Sequence, residues 1–264
     1  MMRLDDEATW PEELLRRLGE GLPLLRDYER ERAAWDRRCE EDVMARVRRA
    51  PNPHADARAA VLAACHDIVL GCRIVGYHCT RLTDDEAAAI QRDGLRTLTP
   101  ELIEGRIRRA LDQGLIERGV ADVILARNDG RDRNRAGMAW FVFRKRDLAD
   151  EGGVGPLFSS WGGEAVYGGY EDDATVGPAL SRIGRPCIVE AALPTAGIET
   201  HCDVGERVMR VHLERRGIRT GHGDGMQGYV REGVPGDAIL RVIRLDDPGF
   251  KSLTMLRTWR SRPA

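Results

Sequence analysis

The order of hydrophobic and polar positions divides the chain into a helical first part and a strand-rich second part. Residues 1–70 carry helical patterns, interrupted by Pro51 and Pro53, and this part is predicted to form an N-terminal helical region. Residues 71–264 are predicted to form a second domain, in which short apolar runs alternate with helical segments. The strand-like runs are 72–78, 138–143, 187–193, 227–231 and 238–245. Helices followed by strands with interrupting helices indicate an α+β fold rather than a doubly wound parallel sheet.

Local signals predict where several helices begin and end. Thr83 follows the first strand-like run, and Glu86 stands three residues later, which is the pattern of a capping box. Gly94 stands where a left-handed residue would end that helix. Asp203 is predicted to begin a later helix in the same way. The glycine-rich segment 151–156 instead predicts a mobile loop.

Composition narrows the classes of partner and compartment. The chain has 41 basic and 43 acidic residues and a net charge of -2, which argues against a whole-protein electrostatic grip on nucleic acid. No apolar run approaches the roughly 20 residues that a membrane span needs, and the N-terminus lacks a signal-peptide pattern. We expect a cytoplasmic protein that does not enter a membrane.

The six cysteines suggest buried thiols rather than a metal site. Cys65, Cys72 and Cys79 recur at seven-residue intervals with His66 and His78 beside two of them, but no Cys-x-x-Cys pair occurs. Because the usual zinc spacings are absent, no metal is expected. Small buried thiols are common in a reducing compartment.

Three segments resemble, in order, the motifs of the ADP-ribosyltransferase fold. Tyr77-His78-Cys79-Thr80, followed by Ile90 and Gly94-Leu95, resembles the first motif of the clan that includes diphtheria toxin and the poly(ADP-ribose) polymerases. An aromatic strand at 140–143 and a segment ending at Tyr167 resemble the second. The segment 226–239 resembles the third, although Gln227 stands where the acid of the His-Tyr-Glu triad would be.

This resemblance implies split antiparallel sheets around a cleft for NAD, the co-substrate, preceded by the helical lobe. His78 would hydrogen-bond a ribose hydroxyl, and the backbone of Cys79 would bind the carboxamide. Thr80 would be a further NAD contact. Tyr167 would stack on the nicotinamide, with Trp140 or Phe141 on the opposite wall. The guanidinium of Arg81 would meet the pyrophosphate.

The third motif leaves the source of negative charge open. Gln227 would position the nucleophile or the ribose, but it cannot stabilise the oxocarbenium-like state that forms when the nicotinamide–ribose bond breaks. Glu164 is an alternative, because on a helix it would lie one turn before Tyr167 on the same side.

These residues predict an NAD-dependent mono-ADP-ribosyltransferase with a protein or nucleic-acid acceptor, such as a bacterial toxin or an anti-phage defence effector. One alternative is an NAD glycohydrolase without a macromolecular acceptor. RNA 2′-phosphate transfer is another alternative, against which Tyr167 counts. The missing acid favours a third, a non-catalytic binding module. The charged helices near residues 20–50 would then dock an antitoxin or another partner protein.

Overall fold

The computed structural model describes residues 1–48, 51–221 and 225–263 and shows a mixed helical and antiparallel fold. The helices are α1 Glu12–Glu41, α2 Ala55–Leu70, α3 Asp84–Asp93, α4 Pro100–Asp112, α5 Arg118–Ala126, α6 Glu151–Ser159, α7 Glu164–Tyr167, α8 Val176–Arg182, α9 Val204–Glu214 and α10 Pro248–Thr254. The strands are β1 Arg73–Leu82, β2 Gly94–Leu95, β3 Ala139–Val142, β4 Arg185–Pro194, β5 Gln227–Val230, β6 Val234–Pro235 and β7 Ile239–Arg244. This mixture confirms the predicted α+β class.

The main sheet brings together strands that are far apart in the sequence. Its order is β5-β3-β1-β4-β7, and β2 and β6 form a separate antiparallel pair. Tyr77 of β1 pairs with Val142 of β3, which in turn pairs with Gln227 of β5. The strands of the three sequence motifs are therefore neighbours.

The predicted helix caps are confirmed. The Thr83 hydroxyl accepts a hydrogen bond from the Glu86 backbone N–H at 3.2 Å, and the Glu86 carboxylate accepts one from the Thr83 N–H at 2.9 Å. Gly94 ends α3 with φ of 101°. Asp203 caps α9 by accepting the Glu206 N–H at 2.7 Å. These signals succeed because each one depends on a few consecutive residues.

The segment 151–156, predicted to be a mobile loop, is instead the start of helix α6. Asp150 caps this helix by accepting the Gly152 N–H at 3.1 Å. Val154 and Phe158 lie one turn apart and are buried in a hydrophobic cluster with Ile188 of β4. Burial of this apolar pair outweighs the poor helix propensity of the glycines.

The described chain forms two compact units whose boundaries differ from the predicted division at residues 70 and 71. The first unit comprises 1–74, 194–196 and 200–226, and the second comprises 75–193, 197–199 and 227–264. The first therefore contains α9 as well as the N-terminal helices α1 and α2, which pack together. The sequence did not reveal that a late segment returns to the N-terminal helices, because that return depends on tertiary packing.

Candidate functional site

His78 lies within β1 rather than at the strand end that its sequence context predicted, because the strand continues to Leu82. Its half-buried ring has Nδ1 2.8 Å from the carbonyl oxygen of Trp140 on the neighbouring strand. A carbonyl can only accept, so Nδ1 carries the proton and Nε2 is the acceptor of the neutral ring. The Phe141 ring centroid is 5.8 Å from that of His78.

The imidazole of His78 is held in its neutral form. Burial lowers the pKa of His78 below its ordinary value, and the positive charge of Arg106 lowers it further. The hydrogen bond to the Trp140 carbonyl opposes this shift without reversing it. At neutral pH the ring is therefore an uncharged hydrogen-bonding group.

The alternation of β1 puts His78 and Cys79 on opposite faces of the sheet. Tyr77 and Cys79 point into the hydrophobic cluster that contains Phe158 and Ile188. Burial raises the pKa of the Cys79 thiol, so this side chain is an inert core group. The predicted role of Cys79 concerned its backbone and stays a prediction. Thr80, also a predicted NAD contact, is buried on the His78 face.

Arg81 does not fit the predicted role at a pyrophosphate. Its side chain is buried, with Nε donating to the Ile183 carbonyl at 2.7 Å and Nη1 donating to the Phe158 carbonyl at 3.0 Å. Two buried carbonyls thus hold the guanidinium inside the fold. Burial also lowers the pKa of Arg81, as expected for a cation removed from water. Arg81 joins β1 to the segments that contain its two acceptors.

Phe141, and not Trp140, is the aromatic residue that shares a face with His78. Phe141 contacts the His78 ring, whereas the Trp140 ring lies 4.8 Å from that of Tyr229 on β5. A Cβ at Gly76, two residues before His78, would approach the Phe141 ring to 3.0 Å. The glycine therefore lets Phe141 pack closely against β1 beside His78.

Gln227 lies on the other face of the sheet from His78. It pairs with Val142, and Val142 pairs with Tyr77. Directly paired residues of antiparallel strands share a face, and the next residue along a strand points to the opposite one. The prediction that the Gln227 side chain faces the same ligand as His78 is therefore wrong. The residue that pairs with Phe141 is Gly228, which has no side chain to offer.

Tyr167 and Glu164 lie together on the short helix α7. Tyr167 is buried in a cluster formed largely by α4, α5 and α8, and burial raises its pKa, with the nearby Glu164 adding to the shift. Glu164 is exposed, with its carboxylate 3.3 Å from Arg135. The structure thus confirms the predicted Glu164–Tyr167 proximity, but most of the Tyr167 ring is used in packing.

A polar network centred on Glu86 was missed by sequence reasoning. Glu86 Oε1 accepts from Arg106 Nε at 2.6 Å, and Oε2 accepts from Trp161 Nε1 at 2.9 Å. The Arg106 guanidinium also lies over the Trp161 ring, 4.6 Å from its centroid. Glu86 was recognised as a helix cap, and that local role hid its tertiary one. A charged residue beside the buried Ile103 and Ile107 of α4 was the available signal for Arg106.

No family model, curated protein or solved structure matches this chain. In the described part of the chain, no helix has both the length and the apolar character that crossing a bilayer requires. The resemblance of the three motifs therefore rests on the residues themselves.

Proposed function

We propose that this protein is an NAD-dependent mono-ADP-ribosyltransferase that acts in the cytoplasm on a protein or nucleic-acid acceptor. The main support is the sheet order β5-β3-β1, in which the strands of the three motifs are adjacent although more than 140 residues separate β1 from β5 in the sequence. Neighbouring strands are what a shared ligand cleft requires. The fold proposed with this function is the split-sheet ADP-ribosyltransferase fold.

The chemistry of His78 agrees with this function. With Nδ1–H held by the Trp140 carbonyl, Nε2 can accept a hydrogen bond from a ribose hydroxyl. A neutral ring does not repel the positively charged nicotinamide ring of NAD. His78 would hold the ribose while the nicotinamide–ribose bond breaks.

A non-catalytic NAD-binding protein is the second candidate, and Gln227 is the observation that favours it. Gln227 carries no charge and lies on the opposite face of the sheet from His78. Neither property suits a residue that must stabilise an oxocarbenium-like state. Hydrolysis of NAD without a macromolecular acceptor is a variant of the enzymatic proposal.

The experiment compares wild-type protein with His78→Ala and with His201→Ala, which replaces an exposed histidine. Each protein is incubated with labelled NAD, with and without cell extract, and both labelled acceptor and free nicotinamide are measured. We expect transfer by wild type and His201→Ala, and a loss of about a hundredfold or more in His78→Ala because the ribose is no longer held.

The other outcomes separate the candidates. Nicotinamide release in buffer alone identifies a glycohydrolase. NAD binding without release or transfer identifies a binding module. Failure of the wild-type protein to bind NAD refutes all three.

Docking of an antitoxin or other partner on the N-terminal helices stays part of the proposal. The charges of α1 are largely paired within the helix, as in Arg16 with Glu13 and Glu20, or Arg32 with Glu29 and Asp36. Such internal pairing is typical of a solvated helix face. A partner would therefore have to recognise shape and apolar contacts more than a single sign of charge.

A further inference from the structure

The Arg106 guanidinium is held in place through its Nε and its flat face, whereas its Nη2 has no hydrogen-bond acceptor in the described part of the chain. Its Nε donates to Glu86 at 2.6 Å, and its plane lies against Trp161. Its Nη2 is buried, and no residue of the described chain accepts a hydrogen bond from it. A buried donor without an acceptor is costly, and such groups often mark a position where a ligand or water binds.

Glu86 does not satisfy this remaining donor. Its Oε2 already accepts from the Thr83 N–H and from Trp161 Nε1, and its Oε1 accepts from Arg106 Nε. The carboxylate therefore orients Arg106 while its negative charge is shared among three donors. The side chains of Glu86 and Arg106 are only 15% and 16% exposed, so the pair is fixed in a largely dry environment.

The positive charge of Arg106 acts on the imidazole of His78 and adds to the lowering of its pKa by burial. Thr83, which donates to Glu86, follows directly after β1, the strand that carries His78. The network is thus connected to the strand of the proposed ribose-binding residue. Arg81, the sequence-based candidate for a phosphate contact, is already held by two backbone carbonyls.

We infer that Arg106 binds a phosphate oxygen of the ligand held by His78, with Glu86 and Trp161 as the residues that position its guanidinium. A phosphate is the fitting ligand because guanidinium N–H groups match its oxygens in geometry and charge. Phosphate binding gives the buried Nη2 its missing acceptor. The assignment of this phosphate to NAD rests on the proposed function.

The test titrates NAD and nicotinamide riboside, which lacks phosphate, into wild-type protein, Arg106→Gln and Arg108→Gln. Arg108 is the matched control, because it lies on the same helix and is 69% exposed. Arg106→Gln is expected to weaken NAD binding about ten- to a hundredfold and to leave nicotinamide riboside binding unchanged. Arg108→Gln is expected to change neither.

Arg106→Lys is the control for a folding defect in Arg106→Gln, because lysine keeps the positive charge beside Glu86 but lacks the planar guanidinium. The Tm of Arg106→Lys is expected to be closer to that of the wild-type protein than the Tm of Arg106→Gln is. Its NAD binding is still expected to be weakened. Equal weakening for NAD and nicotinamide riboside, or no weakening for NAD, overturns the inference. In the second case Arg106 is a structural residue whose Nη2 is satisfied by water.

Inorganic pyrophosphate separates this inference from the proposed function. If the wild-type protein binds no NAD, the proposed function fails and the pyrophosphate titration decides about Arg106. Binding of pyrophosphate to wild type, weakened at least tenfold in Arg106→Gln, supports a phosphate site for a different ligand. Absence of binding overturns the inference as well.

Discussion

Replacement of Glu86 by glutamine tests whether the buried network stabilises the second compact unit. Both carboxylate oxygens of Glu86 accept from donors, which are the Thr83 N–H, Trp161 Nε1 and Arg106 Nε. A glutamine has one acceptor oxygen and one NH₂ group, so its NH₂ must face at least one of these donors. The variant also leaves Arg106 without a neutralising charge.

The expected cost follows from these contacts. A hydrogen bond to a charged group contributes about 1.5–3 kcal/mol, and breaking a buried ion pair by removing one partner costs about 3–5 kcal/mol. Because Glu86 keeps 15% of its side chain exposed and one acceptor survives, we expect a loss of about 3 kcal/mol in the free energy of unfolding. For a chain of this size, that loss lowers the Tm by about 6–12 °C.

The contribution of Glu86 to the free energy of unfolding depends on pH, and the sign of this dependence follows from the pKa shift of Glu86. Burial alone would raise the pKa of Glu86, but the charge and hydrogen bond of Arg106, with the Thr83 and Trp161 donors, outweigh burial and lower it. The folded-state pKa is therefore below the unfolded value, which is about 4.3. The stabilisation is fully present above the unfolded value and is lost as the pH falls through the folded value. Since Glu86→Gln lacks this group, its deficit is full at pH 7 and shrinks on acidification.

Urea unfolding followed by circular dichroism at several pH values from 7 to 3.5 measures this deficit. Glu104→Gln is the control, because the pair of Glu104 with Arg108 is exposed and is expected to contribute less than about 1 kcal/mol. The reasoning is refuted if Glu86→Gln has the stability of Glu104→Gln at pH 7. A deficit that stays constant down to pH 3.5 refutes its electrostatic part.

Two further substitutions test the backbone and the sheet register. Gly94→Ala is expected to lower the free energy of unfolding by about 2–4 kcal/mol, because φ of 101° suits glycine and the new Cβ would overlap the Val234 carbonyl. Gly119→Ala is the control and is not expected to destabilise the protein, because a Cβ there meets no atom within 4 Å. Thermal melts compare the two variants. Gln227→Glu is expected to leave NAD turnover within about threefold of wild type, because the new carboxylate lies on the face opposite His78. A large gain in nicotinamide release by Gln227→Glu would contradict the register argument.

The sequence was sufficient where neighbouring residues decide the structure. Thr83 and Glu86 form a capping box because they are three residues apart, and the strand-like run that contains His78 became β1. The segment 151–156 was misjudged because its glycines were visible in the sequence, whereas the burial of Val154 in a distant cluster was not. Local chemistry can be read from one segment, but burial depends on what packs against it.

The sequence alone could not show which candidate residues lie on the same face of the main sheet. Whether Gln227 shares a face with His78 depends on the register of two strand pairings, and a shift of one residue would reverse the answer. The choice between Trp140 and Phe141 needed the same information. Arg106 was hidden for a related reason, because its partners come from three separate segments.

The electrostatics around His78 suit the binding of an anionic ligand better than the stabilisation of a cation. The imidazole is neutral, and in the described part of the chain the charge that shifts its pKa is the positive charge of Arg106. A nearby positive charge stabilises bound phosphate groups, whereas an oxocarbenium-like ribose needs negative charge close to it. In the reaction we propose, with Gln227 on the opposite face and Glu164 paired with Arg135, the missing negative charge would come from the acceptor or its nucleophile. Within that proposal, transfer to a specific acceptor is favoured over hydrolysis, because water brings no charge of its own.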